Sequence, residues 1–405
     1  MTAKSSPRLQ KNGASVADNV LDAVASVLGP AKGVVPLHEP EFGGREWDYV
    51  KDCIDTGWVS AVGSYVDRFE RDLGAYTGAK HVVATVNGTA ALHLCLKLVG
   101  VESGDEVIIP ALTFVATANA VSYCGAVPHL VDVALPSAGI DPGRLGRYLD
   151  EILETRGERK VNRETGRPVA AVVVMHTFGH PAEIEELAEV CKRHGLPLVE
   201  DAAESLGSTW QGRHCGTFGV VASLSFNGNK VVTTGGGGAV MTADPEIGRR
   251  AKHLSTTAKL PHAWLYAHDE VGYNYRMPNL NAALGCAQLE QLEKRVAEKR
   301  RLAGAYEAAF ADSNDISFLR EPAGCRSNYW LAAILLDPAE GTEARDAVLG
   351  RLNGAGYMAR PAWTLIHKLA PYARCPRAAD LSVAEMVERS LVNLPSSPRL
   401  GRHLT

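Results

Sequence analysis

The chain has no pair of cysteines at metal-ligand or disulfide-framework spacing. Its eight cysteines (Cys53, Cys95, Cys124, Cys191, Cys215, Cys286, Cys325 and Cys375) are scattered, with no C-x-x-C. That pattern predicts reduced, mostly buried thiols and neither a disulfide scaffold nor a metal site. Long basic runs are missing too, and the net charge is -4, so neither nucleic acid nor a membrane surface is an expected partner. No G-x-G-x-x-G follows a strand-like run and no Walker loop occurs, which removes the usual support for nucleoside triphosphate binding and for an NAD oxidoreductase. Residues 1 to about 13 read as a mobile tail without the apolar core of a secretory leader, so the cytoplasm is the expected location. One stretch, 108 to 131, has no Asp, Glu, Lys or Arg and imitates a membrane span. It carries Pro110, Asn119, Gly125, Pro128 and His129, and reads better as strand, buried helix and strand. No internal repeat or low-complexity tract is present.

With 405 residues, of which 46% are hydrophobic and 22% charged, the composition is that of a globular enzyme too long for one ordinary core. Three parts are expected: a tail and amphipathic helix over 1–30, a large domain over 31–275, and a smaller α+β domain over 276–405. Apolar residues at 16, 20, 21, 24 and 27 to 28 predict the first helix, ended by Gly29 and Pro30. Further helices are predicted over 46–56, 65–76, 91–99, 145–153, 183–194, 244–253, 280–304, 343–354 and 382–390. Strands are predicted over 81–86, 106–109, 127–132, 169–175, 196–199, 220–226 and 329–336, and 156–167 reads as a polar surface loop. The alternation of strand and helix argues an α/β fold with a doubly wound, mostly parallel sheet.

The candidate chemistry gathers around Lys230. An apolar run from Val220 to Phe226 enters a turn at Asn227-Gly228, presents Lys230, and leaves through a β-branched run ending at Thr234 before four glycines. A lysine on a turn between buried segments is partly desolvated, which favours its nucleophilic neutral form. Read alone, the same residue fits a solvated hairpin tip. After the strand at 81–86, the turn Asn87-Gly88-Thr89-Ala90 opens a helix. Free backbone N–H groups there would bind an anion, unless Thr89 is simply a cap. His176, Asp201 and Glu204 fall beyond the carboxyl ends of predicted parallel strands, where ligands of such sheets lie, although a packed histidine or an N-cap aspartate is the plainer reading of each. Phe114 opens a helix near the same edge. Together these provide an amine, an anion cradle, a carboxylate and a stacking ring, the set that pyridoxal phosphate (PLP) requires.

On these residues the chain resembles the fold-type I DegT/DnrJ sugar aminotransferases. The motifs are Asn-Gly-Thr-Ala-Ala-Leu (87–92), Thr-Phe-Val-Ala-Thr (113–117), Glu-Asp-Ala-Ala-Glu (200–204), Ser-Phe-Asn-Gly-Asn-Lys (225–230) and Gly-Tyr-Asn-Tyr-Arg-Met (272–277). The runs at 36–40, 56–60, 326–330 and 360–363 are similar to those of the branch that makes UDP-linked 4-amino sugars for bacillosamine and legionaminic acid. The resemblance implies that Lys230 carries PLP as an aldimine and shuttles the proton, with the pyridoxamine form arising during turnover. It implies that Asp201 pairs with the ring nitrogen, that Glu204 sits beside the ring, and that Phe114 stacks on it. Gly88, Thr89, Ala90 and Ser225 are implied to hold the phosphate. Asn274 is implied to reach the phosphate of a neighbouring subunit in a homodimer with shared active sites. L-glutamate is the implied amino donor. Trp58, Ser60, Asn229, Arg360 and His367 are candidates for the nucleotide-sugar site.

The expected reaction is therefore amino transfer from L-glutamate to C4 of a UDP-4-keto-6-deoxy-N-acetylhexosamine. One alternative keeps the mechanism and changes the sugar, for example to GDP-4-keto-6-deoxymannose, as in perosamine synthesis. Another is a PLP-binding protein that is not a transaminase. Some relatives carry histidine in place of the lysine and perform a deoxygenation. Lys230 is present here, which favours transamination.

Overall fold

The computed structural model describes residues 15–404. The tail expected over residues 1 to about 13 lies outside them. Seven strands form the main sheet: β1 (His81–Thr85), β2 (Glu106–Pro110), β3 (Val127–Val131), β4 (Val169–Met175), β5 (Leu198–Asp201), β6 (Val221–Ser225) and β7 (Gly238–Thr242). Their order is β1-β7-β6-β5-β4-β2-β3. Only β7 is reversed, pairing antiparallel with β1 and β6, and the remaining pairs are parallel. The near-continuous apolar run of β4 is explained by this position, since a central parallel strand is covered on both faces. Helices such as Gly88–Leu98 and Ile184–His194 provide the cover.

A second, antiparallel sheet follows: β8 (Ile316–Phe318), β9 (Ala332–Leu336), β10 (Arg360–Pro361) and β11 (Leu391–Leu394), in the order β8-β9-β11-β10. Its apolar face packs in one cluster with Leu302, Tyr306, Val348 and Leu352 of two flanking helices. The first helix, Val16–Leu28, joins that cluster through Val20 and Val24, and Asp18 accepts from Arg351 Nε at 2.8 Å. It therefore packs on its own chain.

Three local expectations change. The stretch expected as a polar loop contains a hairpin, Leu153–Arg156 paired with Arg159–Asn162. Gly157 at φ 62° supplies the turn, and the charged residues occupy its exposed side. The long helical region is two helices, Asn279–Leu289 and Leu292–Phe310. At the break, the Gln288 and Gln291 side chains both donate to Glu46 Oε1. The β-branched run 231–234 is not a strand, because Thr234 N–H turns back to the Phe226 carbonyl at 2.9 Å instead of joining a ladder.

All eight cysteines are unpaired, six of them buried. Among the described residues no helix is long and apolar enough to cross a membrane.

Candidate active site

The strands β4, β5 and β6 run parallel, so their carboxyl ends share one edge of the sheet. Met175 ends β4, Asp201 ends β5 and Ser225 ends β6. Lys230 lies in the connection from β6 to β7. Its backbone N–H closes a turn on the Asn227 carbonyl at 3.0 Å. Phe226 anchors the start of that connection, packing edge-on against Phe69 with ring centroids 5.1 Å apart. Such pairs contribute about 0.5–1.5 kcal/mol beyond their burial.

The Lys230 side chain is 13% exposed and donates to Glu204 Oε1 at 3.2 Å. Glu204 also accepts from Phe178 N–H at 2.9 Å. Burial pushes its carboxyl up to about 7, and the nearby Lys230 holds it from going higher. Burial likewise raises the Asp201 carboxyl above its ordinary value, opposed by donation from Thr117 Oγ1 at 2.9 Å and Ala203 N–H at 3.2 Å. Burial acts to raise the adjacent Glu200 as well, yet its carboxyl lies below the usual range. It accepts from His176 Nε2 at 3.0 Å and from the N–H groups of Gly216, Phe218 and Gly219. His176 Nδ1 accepts from Ala182 N–H, so this pair braces the sheet edge from beneath and does not face the cavity.

A tryptophan from the second sheet's side completes the wall. Trp330 Nε1 donates to the Asn229 carbonyl at 2.7 Å, and its ring centroid is 3.8 Å from Lys230 Nζ. Asn328 fixes the loop that carries it. Asn328 Nδ2 donates to the carbonyls of Glu204 and Leu206, and its Oδ1 accepts from Trp330 N–H. The buried Lys299 ammonium donates to the Trp330 carbonyl at 3.1 Å.

These groups enclose a cavity of about 330 Å³. Asp201, Glu204, Lys230, Gly88, Thr89, Ser225, Phe114 and Asn229 all line it, joined by Met175, Trp330 and Trp363. At its closed end the helix Gly88–Leu98 begins against β6. A Cβ on Gly88 would meet Ser225 Cβ at 2.7 Å, so only glycine permits this approach. The cap is Asn87, not Thr89: its side chain accepts from Ala90 N–H at 2.7 Å. Ala90 is thereby removed from the free donors and does not line the cavity, whereas Gly88 N–H, Thr89 N–H and the Thr89 and Ser225 hydroxyls make no hydrogen bond among the described residues.

The donor set suits PLP. Unpaired N–H and hydroxyl groups at a helix N-terminus fit a phosphate. A buried carboxylate with raised affinity for a proton fits a protonated ring nitrogen. A largely buried lysine lines the same cavity.

Five further expected residues are elsewhere. Trp58 and Ser60 are exposed, and only their backbones are held, through Asn279. Asn274 is exposed on the 256–276 loop. His367 lines neither this cavity nor its neighbour, and Arg360 lines only the neighbouring cavity. Thr117, Trp330 and Trp363 lie inside quoted motifs without an assigned role. Met175 carries no chemical signal of its own.

A mostly parallel sheet with a lysine, two buried carboxyls and an anion cradle at one edge defines a PLP-dependent aminotransferase of fold type I. The chain belongs to the DegT/DnrJ/EryC1/StrS aminotransferase family, whose model matches residues 40–403. It is 36% identical over 367 residues to the GDP-perosamine synthase of Vibrio cholerae, covering 91% of this chain and 95% of that protein. It is 37% identical over 331 residues to the putative pyridoxal phosphate-dependent aminotransferase EpsN of Bacillus subtilis, covering 82% of each. The solved structure of the aminotransferase TlmJ from Streptoalloteichus hindustanus superposes with a TM-score of 0.80 at 29% identity, covering 90% and 94% of the two chains. The protein is thus a PLP-dependent nucleotide-sugar aminotransferase. Three of the relatives are named GDP-perosamine synthase and one dTDP-4-dehydro-2,3,6-trideoxy-D-glucose 4-aminotransferase, so these names do not support the expected bacillosamine branch.

Proposed function

We propose that the enzyme transfers an amino group from L-glutamate to C4 of GDP-4-keto-6-deoxymannose. The mechanism rests on one observation above others: Lys230, within hydrogen-bond reach of Glu204, lines one cavity together with Asp201 and the unpaired donors of Gly88, Thr89 and Ser225. The GDP-linked sugar is supported by the relatives just described.

In this reading Lys230 would hold the cofactor, Asp201 would hold the proton of its ring nitrogen, Phe114 would pack on it, and Gly88, Thr89 and Ser225 would hold its phosphate. PLP supplies an electron sink that makes the proton on the amine-bearing carbon removable. Glu204, whose carboxyl burial pushes up to about 7, accepts from Lys230 Nζ at 3.2 Å and orients the amine in the cavity. Lys230 then carries the proton at the reacting carbon. Trp330 and Trp363 line the wall on that side.

The homodimer expected from Asn274 is supported by exposed apolar side chains that a second copy would cover: Trp47, Ile54 and Trp58, together with Trp264, Tyr266 and Val271 of the loop that bears Asn274. Arg360 stands beside the substrate cavity and remains a candidate contact, while the positions of Trp58, Ser60 and His367 give them no part in the cavity of a single chain.

A second reading keeps the UDP-linked 4-keto-6-deoxy-N-acetylhexosamine. It is favoured by the runs at 36–40, 326–330 and 360–363, of which Pro36, Leu37, His38, Trp330 and residues 360–363 line the cavity next to that of Lys230. Incubation with glutamate and each keto sugar, followed by mass analysis of the nucleotide product, separates them. Amination of the GDP-linked sugar alone supports the first reading, and amination of the UDP-linked sugar alone overturns it.

A further inference from the structure

Lys299 is a buried amine without an acid partner. It lies on the helix Leu292–Phe310 with 1% of its surface exposed. Burial alone drives its amine well below the ordinary lysine value, and no carboxylate opposes the shift. The acids on this side are taken by arginines: Glu46 stands 3.6 Å from Arg295, and Glu298 3.2 Å from Arg402. Burying such a group is costly, and a methionine would fill the same space without that cost.

What the lysine adds is donors. Its Nζ donates to the Trp330 carbonyl at 3.1 Å and to the Ser396 carbonyl. Neither carbonyl accepts from any other group among the described residues. Charged or neutral, the amine keeps at least two hydrogens, enough for both.

The turn that carries Trp330 needs such a hold. Tyr329 is buried with φ 47°, a left-handed backbone uncommon for an aromatic residue. A conformation of that kind persists only where its surroundings over-determine it. Ser327 Oγ accepts from Tyr329 N–H at 2.9 Å, and Asn328 Oδ1 accepts from Trp330 N–H at 2.7 Å. Lys299 takes the far side, at the Trp330 carbonyl. Ser396, its other partner, accepts through Oγ from Ala332 N–H at 2.8 Å. One side chain therefore ties the turn to the segment after β11, which in turn holds the start of β9. From the turn, the indole reaches the Asn229 carbonyl and covers Lys230 Nζ.

We propose that Lys299 is a positioning residue: by fixing the Trp330 carbonyl it keeps the indole against the Lys230 turn. This deepens the aminotransferase reading above, on which its effect on turnover rests. The hold on the indole itself is independent of that reading. Tyr306 provides the contrast. It lies two turns further along the same helix, is also buried, and donates to the Pro395 carbonyl at 3.0 Å without a bond to residues 327–331.

The test is the rate at which trinitrobenzenesulfonate labels Lys230 in the full chain before cofactor is loaded, read from the mass of the peptide that holds it. Lys299→Met keeps the stem, loses the donors and removes a buried charge, so it should fold. Trp330→Leu uncovers the amine and should label faster than wild type. Lys299→Met should also label faster, by about 5-fold, the weight of one net hydrogen bond. The double variant should label no faster than Trp330→Leu alone, because the lysine acts through the indole. Tyr306→Phe should label as wild type. In the loaded enzyme kcat/KM should fall by about 5-fold in Lys299→Met, with no further fall when the change is added to Trp330→Leu. Lys299→Gln, too short to keep both bonds, should shift both readouts less and in the same direction, and it carries the test where the methionine variant does not fold. Unchanged labelling in Lys299→Met, equal acceleration in Tyr306→Phe, or a full added effect in the double variant overturns the proposal. A wild type that aminates no keto sugar overturns the substrate reading and leaves the labelling result standing.

Discussion

Lys230 Nζ lies 3.8 Å from the centroid of the Trp330 ring, while the same indole's N–H donates to the carbonyl of Asn229, the residue before the lysine. One side chain from the second sheet's side thus holds both the backbone and the head group of the lysine turn. A cation over an aromatic face gains roughly 0.5–2 kcal/mol, more as it is desolvated.

Trp330→Phe keeps the ring and loses the N–H to Asn229. A net bond of about 1 kcal/mol predicts a fall in kcat/KM of about 5-fold. Trp330→Leu also removes the ring and should fall further, to about 50-fold below wild type. Steady-state kinetics on the folded variants decide, and wild-type values for Trp330→Leu would rule out the positioning role.

Asp201→Asn keeps the shape of the carboxyl and its Thr117 partner but cannot hold the ring-nitrogen proton. Turnover should fall by about 10²–10⁴, the range of lost proton-positioning groups. Thermal stability should hold or rise, because a buried charge is removed. Calorimetry and turnover rates measure both. Undiminished turnover would contradict the assignment.

Glu204 predicts a specific pH dependence. Its carboxyl is near 7 in the folded chain against an ordinary 4.5. Between those values the folded chain holds a proton that the unfolded chain has lost. The contribution is therefore complete below about 4.5 and is lost as pH rises through 7, at no more than about 1.4 kcal/mol per pH unit. His38, His180 and His214 act in the opposite sense: burial holds them low, the latter two to about 4, so they cost stability as pH falls below their ordinary 6.5. The clean observable is the difference between Glu204→Gln and wild type without cofactor. The unfolding temperatures should coincide near pH 5, and the variant should be the more stable by pH 7.5. A gap that does not change with pH would contradict the raised carboxyl.

Shared active sites predict complementation. Lys230→Ala and Asn274→Ala lose different halves of a site. A mixed dimer would rebuild one whole site, so random reassortment of the two inactive proteins should recover about a quarter of wild-type activity. No recovery after proven subunit exchange would place Asn274 outside the partner's site.

That the lysine, the two acids and the helix-start residues Gly88 and Thr89 share one cavity was legible in the sequence because each stands near a strand end or helix start with its own local signature. Asn87 shows where local reading stops. Any of the polar residues at that turn is able to cap, and only the fold shows that Asn87 takes Ala90 N–H and leaves Thr89 free. Trp330, Trp363, His38 and Asn393 come from segments up to 355 residues apart in numbering, counted from 38 to 393. No periodicity or spacing brings such segments to one cavity; tertiary packing does. The hairpin at 153–162 escaped because its charged residues mask a two-residue turn at Gly157.

The most direct test of the account is the visible absorbance of the purified protein loaded with PLP, before and after L-glutamate, beside Lys230→Ala. The account predicts a yellow lysine-bound form in the wild type that bleaches with glutamate and returns when the accepted keto sugar is added, and no such form in the variant. A yellow form that persists unchanged in Lys230→Ala, or a wild type that glutamate leaves yellow, would contradict it.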